Sequence, residues 1–159
     1  MSEALRVALA GLGQGVQMIR IKFPYGKVTP RQLRRLADVA DEYADGKIHI
    51  TTRQDVQIHY VSLDRTPELW AELEKDEITL REACGNVVRN VTASAMAGID
   101  PGEPFDVSPY AYAVFKYLLR QPFGQDLGRK LKFAFASSEF DTAFTQIHDV
   151  GFVPVLKHG

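Results

Sequence analysis

Thr51-Thr52-Arg53-Gln54-Asp55-Val56-Gln57-Ile58-His59-Tyr60 alternates in character from Asp55 onward. Val56, Ile58 and Tyr60 fall on one side of an extended chain. Asp55, Gln57 and His59 fall on the other, with Arg53 in phase with the polar set. A period of two marks a strand with one buried face. The polar face of such a strand is commonly just solvated. Four further basic residues, in short distinctive contexts elsewhere in the chain, give this one a second meaning.

Working outward, residues 47–51 and 54–61 read as two neighbouring strands. Upstream, residues 16–23 form a strand with Gln17, Ile19, Ile21 and Phe23 on one face and Met18, Arg20 and Lys22 on the other. Pro24-Tyr25-Gly26 ends it. Thr29-Pro30 supplies a helix N-cap followed by proline at the first helical position. Leu33, Leu36, Ala37 and Ala40 then recur at helical spacing up to Tyr43, and Asp45-Gly46 stops the helix. Asp64, Thr66 and Pro67 open a second helix carrying Leu69, Trp70 and Leu73. Strand, helix, strand, strand, helix is most of a split β-α-β unit of the ferredoxin-like kind.

Beyond Ile78 the pattern changes. Residues 79–84 read as a short helix, Gly85-Asn86 as a break, and residues 87–92 as a strand containing Arg89-Asn90. A loop rich in Gly, Pro and acids covers residues 97–106. Residues 109–120 predict a helix built on Tyr112, Phe115, Tyr117, Leu118 and Leu119. Residues 129–136 alternate as a strand, with Leu131, Phe133 and Phe135 opposite Lys130 and Lys132, and residues 149–156 predict one more strand. The expected fold class is α+β. A flexible arm over residues 1–15 precedes a ferredoxin-like half-module over 16–79, and residues 80–159 begin a mixed α/β domain.

Composition narrows the function. The 159 residues are 45% hydrophobic with a formal net charge of −1, which suits a soluble globular chain of one or two small domains. That balance argues against a nucleic-acid binder working by bulk charge. Cys84 is the single cysteine, so neither an intramolecular disulfide nor a cysteine-rich metal site fits within these residues. Cys84 itself reads as a small buried residue rather than a reactive thiol. No apolar run reaches the roughly 18 residues of a membrane span, and the start lacks the basic n-region of a signal peptide. The cytoplasm is the expected compartment. Gly11-Leu12-Gly13-Gln14-Gly15 fails as a dinucleotide loop, because the third glycine of G-x-G-x-x-G would fall at Val16. His49 and His59 find no third ligand at metal-site spacing, and no metal ligand is expected among these residues.

Arg20, Arg53, Arg89, Lys130 and Lys132 all sit on strands or strand ends. Any one of them could simply face water. Lys130 and Lys132, however, project side by side from one strand face, where like charges oppose each other. Arginine forks suit carboxylates, and lysine adds a compact charge able to lose a proton. The set points to a polyanionic ligand together with a small anion that is protonated.

These contexts carry a family resemblance. Met18-Ile19-Arg20-Ile21-Lys22, the Thr51–His59 run, Ala83-Cys84-Gly85-Asn86-Val87-Val88-Arg89-Asn90-Val91-Thr92, Ala97-Gly98-Ile99-Asp100-Pro101 and Gly128-Arg129-Lys130-Leu131-Lys132 together resemble the siroheme-dependent nitrite and sulfite reductases, in that family's order. The likeness runs from about Gly15 onward and matches only the N-terminal third or so of such an enzyme. It implies a siroheme coupled to a [4Fe-4S] cluster, reducing nitrite to ammonia or sulfite to sulfide with electrons from ferredoxin or an NAD(P)H-linked donor. It also implies that residues 80–159 are the first part of a siroheme-binding domain. Carried over residue by residue, Arg20, Arg89, Lys130 and Lys132 would hold the substrate anion and act in catalysis. Thr51, Thr52, Arg53, Gln57 and Asn90 would hold the cofactor.

The departures also matter. The family's cluster cysteines stand in C-x5-C and C-x3-C motifs downstream of these residues, so the cluster ligands are expected outside this chain. Many members have cysteine and proline at Ser94-Ala95, and proline at Gly128. The 159 residues alone are therefore expected to be inactive and to need the remaining part of an enzyme as partner. A cobalamin-pathway oxygenase of the same superfamily is one alternative. A non-catalytic ferredoxin-like binding module is the other. No nucleic-acid or membrane partner is expected.

Overall fold

The computed structural model describes residues 15–157. The expected N-terminal arm, up to residue 14, and most of the glycine-rich Gly11–Gly15 run lie outside the described residues. Two three-stranded sheets organise the rest.

In the first sheet, β1 (Val16–Lys22), β2 (His49–Ile50) and β3 (Asp55–Ser62) lie in the order β1-β3-β2, both pairings antiparallel. β3 therefore inserts between the two strands joined by helix α1 (Pro30–Tyr43), which is the split arrangement expected from sequence. Helix α2 (Thr66–Glu74) follows β3. Thr29 caps α1 in a reciprocal box, its hydroxyl accepting from the Gln32 N–H at 3.2 Å while its own N–H donates to Gln32 Oε1 at 3.0 Å. The two helices cover one face of the sheet. Ile19, Ile21, Phe23, Val56, Ile58 and Val61 from the strands meet Leu36, Val39, Ala40 and Tyr43 of α1 and Leu69 and Leu73 of α2. Asp76, at the end of α2, accepts ion pairs from Arg31 and Arg35 of α1 and so ties the two helices together.

The second sheet is parallel, in the order β4 (Val88–Ala93), β5 (Leu131–Phe135) and β6 (Val150–Phe152). Helix α3 (Ser108–Leu118) crosses between β4 and β5 and buries Ala111 and Phe115 against Val88, Val91, Phe133 and Phe135.

Several sequence expectations shift. Along α1 the buried stripe is Leu36, Val39, Ala40 and Tyr43, at i, i+3, i+4 and i+7, while Leu33 and Ala37 face solvent. The alternation of β3 fails at Tyr60. His59 and Tyr60 together oppose Met18, so the register slips, Tyr60 takes a φ of 64°, and its ring points to water while Val61 enters the core. This is a bulge, and it flips every later side chain. Residues 79–84 form no helix. Thr79 bridges to β1 instead, its carbonyl accepting from the Lys22 N–H at 3.0 Å, and Ala83 and Gly85 give their carbonyls to the Arg89 side chain. Cys84, on that loop, is exposed rather than buried. Trp70, Tyr112 and Tyr117 are also largely exposed, and α3 ends at Leu118. The last strand stops at Phe152, two residues before Pro154, which has no N–H to extend a ladder.

The sheets are stitched by side chains bonding to backbone. Thr51–Gln54 form the tight connection between β2 and β3, with Thr51 and Asp55 closing it through a 2.8 Å N–H to carbonyl bond. The loop ends with Gln54 in the left-handed region, at φ 58°, the place where a three-residue hairpin loop usually has glycine. A glutamine stands there because its amide pairs with β4 like a peptide group. Gln54 Nε2 donates to the Ala93 carbonyl at 2.6 Å and Oε1 accepts from the Ala93 N–H at 3.1 Å. Gly26 (φ 73°) lies under this side chain, and a Cβ there would sit 3.0 Å from Gln54 Cδ. From the other direction, Asn90 Nδ2 reaches the carbonyls of Phe23 at 2.7 Å and Arg53 at 3.1 Å.

Asn90 is 1% exposed. Replacing it with alanine strips buried carbonyls of their donor and leaves a small void, a loss on the order of 2–4 kcal/mol. In urea unfolding of the full-length protein, Asn90→Ala should lower the midpoint with little change in slope. An unchanged midpoint would show that the two sheets do not depend on this residue.

Candidate functional site

The face of the first sheet turned away from its helices is polar, and it looks toward the second sheet. Arg20 and Gln57 are cross-strand partners, and so are Gln57 and His49, which makes one row across all three strands. Lys22 and Asp55 form the next row. Between this face and the second sheet lies a cleft of about 240 Å³, lined from the first sheet by Arg20, His49, Asp55 and Gln57, from the loop by Thr51, Thr52 and Arg53, and from the second sheet by Arg89, Lys130 and Lys132. Eight of the nine expected site residues therefore meet in one place, across more than 100 positions of sequence. Asn90 does not line the cleft. It is buried beneath, holding the Arg53 loop through the backbone.

Each cation is held differently. Arg20 is oriented by its strand neighbour: with the Gln57 amide turned so that its oxygen faces the guanidinium, that oxygen accepts from Nε at 3.2 Å and Nη2 at 2.5 Å. Arg89 gives two of its guanidinium nitrogens to loop carbonyls, Nε to Gly85 at 2.9 Å and Nη1 to Ala83 at 3.0 Å. Arg53 reaches furthest, donating through Nη2 to the carbonyls of Asn90 and Phe133 on adjacent strands β4 and β5. Its Nε and Nη1 are buried without a partner among the described residues. Burial pulls its pKa down, and the nearby Asp55 and Asp149 carboxylates oppose that, yet a guanidinium stays charged in proteins. A buried charge with two idle donors favours an acceptor beyond those that the described residues supply. Lys132 is anchored through its N–H, which donates to Asp149 Oδ2 at 2.8 Å.

Two charged groups escaped the sequence reading, one lining this cleft and one buried behind it. Asp55 appeared only as one more polar-face residue, yet it is 4% exposed, with Oδ1 lacking any partner. Burial pushes its pKa up to about 6, although Arg20, Lys22, Arg53 and Arg89 all pull the other way. Lys22 is 2% exposed. Its ammonium group sits 3.4 Å from the Val88 carbonyl, 4.0 Å from Glu82 and 5.7 Å from the centre of the Phe115 ring. Burial brings its pKa down to about 8, against the pull of Glu82 and Asp55. Alternation alone places such residues on a face. It cannot say that a second sheet will close over that face.

Chemically, the cleft gathers five arginine and lysine side chains around a single carboxylate. A wider groove of about 850 Å³ runs past Val28, Leu33 and Ile50 but collects no comparable cluster of basic groups. Among the described residues, no group of three or more His, Cys, Asp or Glu side chains is placed to hold a metal ion, and no helix is long and apolar enough to cross a membrane. The charge of this lining favours anions.

Comparison with known proteins bears on which anions. Residues 11–76 match the family described as the nitrite/sulfite reductase ferredoxin-like half domain, and residues 84–159 match the nitrite and sulphite reductase 4Fe-4S domain. The chain belongs to the nitrite and sulfite reductase family. A ferredoxin–nitrite reductase of Leptolyngbya laminosa is 32% identical over 93% of this chain and 30% of its own length. A ferredoxin sulfite reductase of Mycolicibacterium paratuberculosis is 30% identical over 89% of this chain and 26% of its own. The solved structure of the Mycobacterium tuberculosis NirA protein superposes with a TM-score of 0.80 at 30% identity, covering 87% of this chain and 25% of that one. This chain thus spans between a quarter and a third of the length of the curated relatives it matches.

The raised pKa of Asp55 makes a testable statement about stability. Between about pH 4 and pH 6 the unfolded chain has released this proton while the folded chain still holds it, so stability falls as pH rises through that window. Above the window the ionised, buried carboxylate costs roughly 2–3 kcal/mol. Asp55→Asn should therefore be more stable than the parent at pH 7, and chemical denaturation across this range should show a flatter pH profile. Equal profiles for the two proteins would overturn the assignment.

Proposed function

We propose that this chain is the part of a siroheme- and [4Fe-4S]-dependent nitrite or sulfite reductase that grips the substrate anion and the carboxylates of the macrocycle. The observation that carries the reading is the convergence of Arg20, Arg53, Arg89, Lys130 and Lys132 on one cleft, with the buried Nε and Nη1 of Arg53 lacking acceptors. A carboxylate-rich macrocycle fits that donor set. At an effective dielectric near 20, one unit-charge contact at 4 Å is worth about 4 kcal/mol before desolvation.

In this reading Arg53, with Thr51 and Thr52 beside it on the loop, holds the macrocycle's carboxylates. Asn90 positions that loop from below, and Gln57 fixes the Arg20 fork in place. Arg20, Arg89, Lys130 and Lys132 face the substrate oxyanion and steady the negative charge that builds on it, while the two lysines offer protons to the departing oxygen. Siroheme and cluster, when bound, supply the electrons for the six-electron reduction of nitrite to ammonia or of sulfite to sulfide. A [4Fe-4S] cluster takes four thiolates and these residues contain only Cys84, so the cluster ligands come from another part of the enzyme and the 159 residues do not catalyse the reaction alone. The ferredoxin in the names of the relatives supports a ferredoxin donor.

The test is charge reversal in the full-length enzyme. Arg89→Glu should lower kcat/KM for nitrite or sulfite by about 10²–10³-fold, the size of one well-placed charge contact, while siroheme content changes little. Arg53→Met should instead reduce the bound siroheme, read from its visible absorbance. Undiminished turnover in Arg89→Glu together with full siroheme loading in Arg53→Met would remove the basis for this reading.

A further inference from the structure

We infer that Asp55 takes up a proton when the cleft fills with its oxyanion, so that anion and proton enter together. The inference rests on the proposed anion site and adds a group that the resemblance did not assign.

The geometry is specific. Asp55 opens β3 at the floor of the cleft, where its side chain is nearly inaccessible to solvent and its Oδ1 meets no donor. From β1, Arg20 and Lys22 face it, Lys22 as its direct cross-strand partner. From the loop comes Arg53, and from β4 comes Arg89. His49 on β2 and the lysines of the β5 end complete the lining. With the cleft free of ligand, these cations keep the carboxylate partly ionised in spite of its burial, which leaves it titrating near pH 6. An oxyanion arriving among the same cations adds a negative charge to a small enclosed space. The two negative charges repel, and this raises the affinity of the weaker acid for a proton. Nitrite is a weak base that stays ionised at neutral pH, so the proton goes to Asp55. Protonated, its O–H becomes a donor in a cleft where the ionised form could only accept. The balance is simple: one proton leaves the buffer and binds a carboxylate oxygen, and no bond to the anion is made or broken.

Lys22 answers differently. Titrating at about 8, it is already mostly protonated at pH 7 and has little left to gain. The site therefore holds a proton-accepting carboxylate in front of a buried ammonium group, and only the former changes state around neutrality.

Titration calorimetry of the full-length, siroheme-loaded enzyme with nitrite provides the test, run at pH 7 in two buffers that differ in heat of protonation. The expected result is uptake of a large fraction of one proton per nitrite. Affinity should weaken as pH rises from 6 to 8, by as much as about tenfold per unit. Asp55→Asn should bind nitrite with uptake near zero at pH 7 and a flat dependence between pH 6 and 7, and His49→Gln should keep the uptake of the parent. Nitrite binding without proton uptake in the parent, or uptake that survives in Asp55→Asn, would overturn this inference and leave the anion site standing. The same titration with sulfite covers the other substrate of the proposed reading, and a failure of the parent to bind either nitrite or sulfite at any pH would overturn both.

Discussion

Arg53 leaves a hairpin loop of the first sheet and donates to the carbonyls of Asn90 and Phe133, one on each of two adjacent strands of the second sheet. A guanidinium does not shed its charge when buried, so wherever it is placed the surroundings must supply acceptors. That requirement fixes how the sheets meet. Gln54 pairs with Ala93 as though it were a peptide unit, and Asn90 returns the contact from the opposite side. With the loop pinned at these points, the polar face of β1 and β3 is held a cleft's width from Arg89 and the lysines of β5.

The same closure creates the electrostatics. Asp55 and Lys22 lie on the face that alternation marks as polar, and in an isolated sheet both would be solvated. Covered by β4 and α3 they lose water, and burial moves the carboxylate up and the ammonium down. These shifts arise from docking rather than from any feature of either strand by itself.

That is also why the sequence was legible to different depths. The split β-α-β order, the Thr29 cap and the five basic residues of the cleft follow from local pattern, because capping, alternation and motif spacing are local. Tyr60 was misplaced because a bulge is a register event between two strands and neither strand's own pattern announces it. Residues 79–84 have reasonable helical composition, but the Lys22 N–H and the Arg89 fork claim their carbonyls first. Cys84 lies exposed for the same reason, on a loop shaped by Arg89. The burial of Asp55, Lys22 and Asn90 depends on partners more than 30 residues distant, which no window of sequence contains.

The bond from Arg53 to the Phe133 carbonyl spans 80 positions of chain, and this separation has a kinetic meaning. Contacts that distant form only after the entropy of a long loop has been surrendered, so they belong to the slow, late part of folding. Each sheet can assemble its own apolar core before the cleft exists. The geometry of the cleft then reports that assembly is complete, and a ligand able to recognise it would capture the finished arrangement and hold it against reopening.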